Sequence, residues 1–158
     1  MVIAVISDTH GNKRIISKVR DEVKKRNVDG IIHLGDNIDD IYELITGLKC
    51  KFYGVRGNCD FSDFPEELIV SIANKRFFIT HGHRYHVKTG LNNIFYKGKE
   101  LGVDAVLFGH THIKVSSKEE GMWIINPGSP SLPKDGIASI GFIEIENGEI
   151  NPYTISIE

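Results

Sequence analysis

The sequence predicts an α/β protein that begins with parallel β-α-β units and ends in hairpins. In the first half, short apolar runs alternate with segments whose apolar residues recur at helical spacing, which is typical of parallel strands joined by helices. In the last third, apolar runs are separated only by short turns, which indicates antiparallel strands. We therefore expect two sheets packed face to face with helices outside, in a single domain of residues 1–158.

The first half is expected to contain three strands and two helices. Residues 2–6 form a continuous apolar run that ends at a Ser-Asp pair, as a buried strand would. Asn12 is suited to cap a helix whose apolar residues follow at helical spacing and which ends near residues 26–27. The next three elements are a strand, a helix and a strand, predicted at residues 30–34, 38–48 and 51–55.

The second half is expected to be mainly strand. Residues 68–70 and 77–79 would form a hairpin, and a helix at 93–101 would follow a polar loop at 81–92. A short apolar run at 105–108 predicts another buried strand. The last four strands are predicted as two hairpins, the second closed by an Asn-Gly turn, at residues 115–118, 122–125, 137–145 and 149–157.

The composition is that of a globular protein, with 158 residues, 41% hydrophobic and 25% charged. A net charge of -2 argues against a broad surface for duplex DNA, which requires a basic footprint. No apolar run approaches the roughly 18 residues of a membrane helix, so no membrane association is expected. Two cysteines, Cys50 and Cys59, do not form a disulfide framework, and we expect a reducing, cytoplasmic location.

Polar clusters of metal-binding residue types follow five of the predicted strands. The clusters are Asp8-Thr9-His10, Gly35-Asp36-Asn37, Gly57-Asn58-Cys59-Asp60, His81-Gly82-His83 and Gly109-His110-Thr111-His112. Because the carboxyl ends of strands form one rim of an open α/β sheet, these clusters should converge there. Carboxylates and imidazoles together suit first-row divalent ions such as manganese, iron or zinc.

The candidate ligands are too many for one metal. There are seven of them, namely Asp8, His10, Asp36, Asn58, His81, His110 and His112. They suit two metals that share one carboxylate. Two metals about 3.5–4 Å apart can hold a hydroxide and stabilise both oxygens of an in-line displacement. The residues therefore predict a two-metal site.

Taken in order, these motifs resemble those of the calcineurin-like metallophosphoesterases. The resemblance extends from residue 2 to about residue 131 and is closest to the small YfcE-like phosphodiesterase branch. The segments that carry it are Ser7-Asp8-Thr9-His10-Gly11, Gly57-Asn58-Cys59-Asp60, Thr80-His81-Gly82-His83, Gly109-His110-Thr111-His112 and Asn126-Pro127-Gly128-Ser129.

The resemblance implies a four-layer αββα sandwich and a metal-dependent phosphodiesterase for small diesters. The acidic net charge and short length lead us to expect no stable nucleic-acid complex. One metal would be held by Asp8, His10 and His112, and the other by Asn58, His81 and His110. Asp36 would bridge both. Manganese is the commonest activator implied, with nickel, iron, zinc or cobalt as alternatives. Relatives of this kind are often dimers or tetramers, and the apolar residues near Phe61, Phe64 and Tyr85 could form an interface.

The sequence departs from the family pattern at Cys59. Many relatives have histidine there, which is thought to protonate the leaving group. Nearby metals would lower the pKa of a thiol from about 8.5, and a thiolate cannot donate a proton. We therefore expect a preference for acidic leaving groups, unless Cys59 serves only as a small, packable residue. The predicted catalytic residues are Asp36, Asn58, His81, Cys59 and His83.

Several assignments stay open from sequence. His83 could orient a ligand, contact the substrate or be an ordinary loop residue. Arg56, Arg84 and Lys88 could bind a phosphate or be surface charges. A metal-dependent nuclease is an alternative function, although it would need a basic groove. A non-catalytic interaction scaffold of the same fold is another, although the complete ligand set argues against it. His33, inside an apolar strand, is expected to be a hydrogen-bonded core residue.

Overall fold

The computed structural model describes all residues from 1 to 158, which form ten strands and three α-helices. The helices are Lys13–Lys25 (α1), Asp40–Leu44 (α2) and Asn92–Leu101 (α3). The strands are Val2–Ile6 (β1), Gly30–His33 (β2), Lys51–Gly54 (β3), Glu67–Ile72 (β4), Lys75–Thr80 (β5), Ala105–Leu107 (β6), Val115–Glu119 (β7), Met122–Asn126 (β8), Ser139–Glu146 (β9) and Glu149–Ser156 (β10).

The strands form two five-stranded mixed sheets. The first has the order β10-β9-β1-β2-β3, in which β1, β2 and β3 are parallel. The second has the order β4-β5-β6-β8-β7, in which β5, β6 and β8 are parallel. The carboxyl ends of the parallel strands of each sheet therefore lie along one edge, where ligands bind in folds of this kind.

The sheets pack face to face, and helices cover their outer faces. Side chains from both sheets, such as Val5 and Ile32 from the first and Phe77 and Leu107 from the second, form the central core. Helix α1 buries Ile16 and its neighbouring apolar residues against the outer face of the first sheet. Helix α3 covers the outer face of the second sheet. The predicted four-layer αββα architecture is confirmed.

Helix α1 forms where its sequence pattern predicts it. The side chain of Asn12 accepts a hydrogen bond from the backbone N–H of Ile15 at 3.2 Å, which caps the first turn. The apolar stripe of Ile16, Val19 and Val23 is fully buried. Amphipathic spacing and a capping residue are thus sufficient to locate this helix.

The second helix is shorter than the predicted span of 38–48. Its start is delayed because Asn37 has a positive φ of 62° and the N–H groups of Asn37 and Ile38 donate to the carboxylate of Asp60. After Leu44 the chain continues in turns, and Gly47 has a φ of 77°. The predicted polar loop at 81–92 contains a short 3₁₀ turn, His83–Tyr85. No helix in the structure has the length and apolar character needed to span a membrane.

Candidate metal centre

The strand ends bring six of the seven predicted ligands together in two overlapping groups. One group is Asp8, His10, Asp36 and His112, and the other is Asp36, His81 and His110. Within each group, the donor atoms lie within 4.8 Å of one another. Asp36 belongs to both groups. This is the arrangement expected of two cations that share one carboxylate.

Short distances between imidazole nitrogens and carboxylate oxygens define the centre. His112 Nε2 lies 3.2 Å from Asp8 Oδ1, and His81 Nε2 lies 3.4 Å from Asp36 Oδ1. His81 Nε2 is also 3.9 Å from Asp8 Oδ1, and His10 Nε2 is 4.0 Å from the same oxygen. Asp8 Oδ1 is therefore surrounded by three imidazoles that converge on it.

Several of these atoms are buried without a hydrogen-bond partner. They include Asp8 Oδ1, His10 Nε2 and His81 Nε2. Leaving buried polar atoms unpaired costs free energy, and native proteins rarely do so without a reason. A cation between these atoms would satisfy all three. The donor set of the chain thus fits divalent metal ions.

Backbone carbonyls fix the orientation of two imidazoles. His81 Nδ1 lies 2.7 Å from the carbonyl oxygen of Leu34, and His112 Nδ1 lies 2.6 Å from that of Leu132. Because a carbonyl can only accept, each Nδ1–H donates, and the Nε2 lone pair of each ring is directed toward the carboxylates. This outer hydrogen bond is the usual way in which proteins orient a metal-binding histidine.

The backbone is strained at the candidate ligands. The φ angles of Asp8, His10, Asp36, His110 and His112 are 57°, 52°, 59°, 68° and 58°. Residues other than glycine rarely adopt this left-handed region, and such strain concentrates at functional sites. Each positive φ turns the chain sharply just after a strand, so that side chains from different strands point to one place.

Electrostatic coupling keeps the two carboxylates ionised. Burial raises the pKa of Asp8, but hydrogen bonding to His112 and the charge of His81 outweigh it, so the pKa is lowered overall. The pKa of Asp36 is also lowered, because His81 outweighs burial. In return, Asp8 raises the pKa of His112, and Asp36 raises that of His81 despite burial.

Glycines allow the loops after β2 and β3 to approach closely. A Cβ atom on Gly35 would lie 2.6 Å from the backbone nitrogen of Gly57, and one on Gly57 would collide with Asp36 Oδ1. Both approaches would be closer than the contacts that real Cβ atoms make. The Gly-Asp and Gly-Asn pairs recognised in the sequence are therefore required by the packing of these two loops.

Asn58 and Cys59 lie exposed at the rim of the centre. The backbone N–H of Cys59 donates to Asp36 Oδ1 at 3.1 Å. The side-chain nitrogen of Asn58 lies 3.7 Å from Cys59 Sγ, and it forms no hydrogen bond with the other six candidate ligands. Burial and the charge of Asp36 raise the pKa of the Cys59 thiol in the chain itself, the reverse of the direction expected for a metal-bound state.

Asp60, to which the sequence pattern gives no role, accepts four backbone N–H groups through its carboxylate. Oδ2 accepts from Asp36 and Gly57 at 2.9 and 2.7 Å, and Oδ1 accepts from Asn37 and Ile38 at 2.7 and 3.1 Å. Asp60 thus joins the loops that carry Asp36 and Asn58. An Asp three residues after a turn glycine was the available signal, because such side chains bond nearby backbone groups.

Two further histidines lie beside the centre. His83 Nδ1 is buried without a partner, and its ring centroid is 5.5 Å from that of His81 and 6.1 Å from that of His110. His83 is therefore adjacent to the proposed ligands rather than in an unrelated part of the loop. His33 is buried, with Nε2 3.0 Å from Thr9 Oγ1 and Nδ1 accepting from Gly35 at 3.1 Å. The expected hydrogen-bonded core histidine is confirmed.

Comparison with known proteins agrees with this centre. The profile described as the calcineurin-like phosphoesterase superfamily domain matches residues 1–148. The chain belongs to this superfamily. The predictions of a calcineurin-like fold and of a phosphoesterase that acts on ester bonds are confirmed at the level of the family. Membership also implies the use of divalent metal, in agreement with the two donor groups.

Relatives within the calcineurin-like superfamily cover most of the chain. The probable metallophosphoesterase YsnB of Bacillus subtilis is 37% identical over 85% of this chain and 78% of that protein. The phosphodiesterase MJ0936 of Methanocaldococcus jannaschii is 31% identical over 94% of this chain and 96% of that protein. The crystal structure of a predicted phosphoesterase from Streptococcus pneumoniae superposes with a TM-score of 0.82 at 28% identity, covering 98% of this chain and 88% of that one.

A structural neighbour of another kind shares the fold. Vps29 from Entamoeba histolytica, solved in complex with zinc, superposes with a TM-score of 0.78 over the full length of both chains. Its sequence is 18% identical, so this likeness shows the calcineurin-like fold alone.

Proposed function

We propose that this chain is a divalent-metal-dependent phosphodiesterase that hydrolyses small diesters by in-line attack of water on phosphorus. The observation that carries the proposal is the position of Asp36 in both donor groups. A shared carboxylate between two sets of imidazoles is the construction of two-metal hydrolytic sites. The name of the relative MJ0936, a phosphodiesterase at 31% identity, favours diesters as the substrate class.

The proposed ligands divide between two cations. Asp8, His10 and His112 would hold one, His81, His110 and Asn58 would hold the other, and Asp36 would bridge them. When bound, the pair supplies an activated water and neutralises charge on the phosphoryl oxygens. Manganese is the proposed physiological metal, with nickel, iron, zinc or cobalt as alternatives.

The chain itself contributes orientation and proton handling. The carbonyl groups of Leu34 and Leu132 keep the imidazoles of His81 and His112 in the tautomer that leaves Nε2 free. Asp36, Asn58 and His81 would position the phosphoryl group. His83, whose Nδ1 has no partner and whose ring lies beside those of His81 and His110, is proposed to contact the substrate. Cys59 stands where many relatives have a proton-donating histidine, so weakly acidic leaving groups should react slowly.

The test is metal-dependent turnover. Metal-stripped protein should hydrolyse bis-p-nitrophenyl phosphate only after Mn²⁺ or another divalent ion is restored, and faster than mono-p-nitrophenyl phosphate. The Asp36→Asn variant should bind less metal, and its turnover should fall at least 100-fold. The reason is that without the shared carboxylate the two cations would no longer be held where they stabilise the developing charge. Asp21→Asn, an exposed change on α1, provides the matched control. Turnover without metal, or an unchanged Asp36→Asn variant, would refute the proposal.

A non-catalytic scaffold of the same fold is the alternative function. Because such a scaffold could keep the ligand set, cation binding by this chain does not separate the two functions. Turnover does. A chain that binds Mn²⁺ in stoichiometric amount and leaves nitrophenyl diesters, cyclic nucleotides and single-stranded oligonucleotides intact would be a scaffold, whereas cleavage of the oligonucleotides alone would indicate a nuclease.

We also propose a homo-oligomer, a dimer or tetramer, located in the cytoplasm. Phe61 is fully exposed beside the centre, and Tyr42 is more than half exposed nearby. Phe64 packs against Tyr42 at a ring distance of 6.1 Å, and Tyr85 donates to Glu67. Exposed aromatic residues of this kind are enriched in interfaces. Light scattering of wild-type protein and Phe61→Ser would test the assignment.

A further inference from the structure

A cavity of about 310 Å³ adjoins the metal centre on the side of the His110–His112 loop. Its lining combines apolar side chains with two exposed lysines. The residues that matter for its chemistry are Val87, Leu91, Ile113, Thr111, Lys88 and Lys134. Its volume is enough for one ring-sized group.

Two features connect this cavity to the proposed ligands. Thr111 lies between His110 and His112 in the sequence and lines the cavity. The backbone N–H of Lys134 donates to the carbonyl oxygen of His112 at 3.0 Å. The cavity therefore borders the loop that carries two of the proposed ligands.

The two lysines carry unpaired charge. Of the basic residues considered from sequence, Arg56 and Arg84 both pair with Glu66, at 3.2 and 2.7 Å. Neither Lys88 nor Lys134 forms an ion pair with any acidic residue, in contrast to the neighbouring Lys114–Asp135 pair at 2.7 Å.

The opposite flank of the centre has the reverse character. There a second cavity is lined by Asp39, Asp60 and Asp63, and its one cation, Arg56, is already paired with Glu66. An anionic substituent is repelled from that flank and attracted to the lysine flank. The centre thus has an acidic side and a basic, apolar side.

We propose that the cavity between Lys88 and Lys134 binds one ester arm of the substrate, a ring-sized apolar group that carries a second anionic substituent such as a carboxylate or phosphate. This proposal rests on the proposed phosphodiesterase function. The apolar side chains of the lining would bind the ring, and the lysine pair would bind the anionic substituent. The substrate class is therefore a diester with at least two negative charges.

Calorimetry with two stable phosphonates tests the cavity without turnover. Benzylphosphonate and 4-carboxybenzylphosphonate have the same ring and the same metal-binding group, and differ only in the carboxylate. In Mn²⁺, wild-type protein should bind the carboxylated compound about fivefold more tightly, the size of effect that two solvent-exposed ion pairs produce. Lys88→Met combined with Lys134→Met should bind both compounds equally, since methionine keeps the apolar stem and removes the charge.

The control is Lys24→Met combined with Lys49→Met, which makes the same change in net charge at exposed lysines without ion pairs. This variant should keep the wild-type preference. Equal binding of both phosphonates by wild type, or a preference that persists in the Lys88/Lys134 variant, would overturn the proposal. Wild-type turnover of bis-p-nitrophenyl phosphate, measured in parallel, reports separately on the proposed function. If the protein hydrolysed the diester but bound both phosphonates equally, only the proposal for the cavity would be rejected. If it preferred the carboxylated phosphonate but did not hydrolyse the diester, only the proposed phosphodiesterase function would be rejected.

Discussion

The two oxygens of the Asp8 carboxylate have different surroundings. Oδ2 accepts hydrogen bonds from Ser7 Oγ at 2.6 Å and from the N–H of His110 at 3.1 Å. Oδ1 has no partner and faces three imidazoles. The first oxygen therefore fixes the orientation of the carboxylate, and the second stays available to a cation. The Asp-x-His motif predicts the residue types of this arrangement. It does not predict which carboxylate oxygen accepts the hydrogen bonds and which one remains free.

At the residue scale, replacing Cys59 by histidine should broaden the range of leaving groups. An imidazole at this exposed position can donate a proton, whereas the thiol is a poor general acid. We expect about a tenfold gain in kcat for diesters with poor leaving groups, and little change for p-nitrophenyl esters. The measurement is kcat across a series of aryl diesters with leaving groups of increasing pKa. An equal change for every ester would show that Cys59 has only a packing role.

At the scale of elements, the centre depends on how the loops after β2 and β3 are held together. Glycine at positions 35 and 57 allows the close approach, and the Asp60 carboxylate joins four N–H groups across it. The same bonds shorten α2 relative to its predicted span. Sequence periodicity located every strand because burial alternates or persists along it. Periodicity did not predict the hydrogen bonds of Asp60, because they depend on tertiary contacts and not on a local sequence pattern.

Asp60→Asn should loosen both loops. An amide has a single acceptor oxygen and sets its NH₂ group against two backbone donors, so two N–H groups lose their partner. We expect a loss of about 2–3 kcal/mol in the free energy of unfolding and about a tenfold loss of Mn²⁺ affinity. Urea unfolding and calorimetric titration measure these quantities.

The control for this variant is at Asp104, which directly precedes β6 at the edge of the sandwich away from the metal centre. There Asp104 accepts a single backbone N–H, from Arg76 at 2.8 Å. Asp104→Asn removes the same charge but keeps an acceptor oxygen for its one N–H, so the free energy of unfolding and the Mn²⁺ affinity should both stay close to wild type. If Asp60→Asn bound Mn²⁺ normally, the carboxylate would serve stability alone.

At the scale of the whole molecule, the parallel strands of both sheets gather the proposed ligands at one edge of the sandwich. The sequence predicted this convergence because each cluster follows a strand and parallel strands end on the same side. Asn58 and the two unpaired lysines could not be placed in this way. Their side chains are exposed, and loop conformation rather than strand register sets where they lie.

Metal should therefore stabilise the entire fold. A ligand that binds only the native state adds about 2.7 kcal/mol at 100 times its dissociation constant, which corresponds to a rise of roughly 5–10 °C in Tm for a chain of this size. Differential scanning fluorimetry of metal-stripped protein with added Mn²⁺ measures the shift. Asp36→Asn should abolish it. A Tm that does not respond to Mn²⁺, Zn²⁺ or Ni²⁺ would mean that the convergent side chains bind no cation in solution.

The three hairpin turns, at Ala73-Asn74, Glu120-Gly121 and Asn147-Gly148, all lie at the edge of the sandwich away from the metal centre, because β5, β8 and β1 run from that edge toward it. These tips can carry a fluorophore or a surface attachment without obstructing access to the cations. The Asn147-Gly148 tip is convenient, since a Cβ atom on Gly148 would have no neighbour within 4 Å. Protein anchored to a sensor chip through this tip would present its reactive face to the flowing solution.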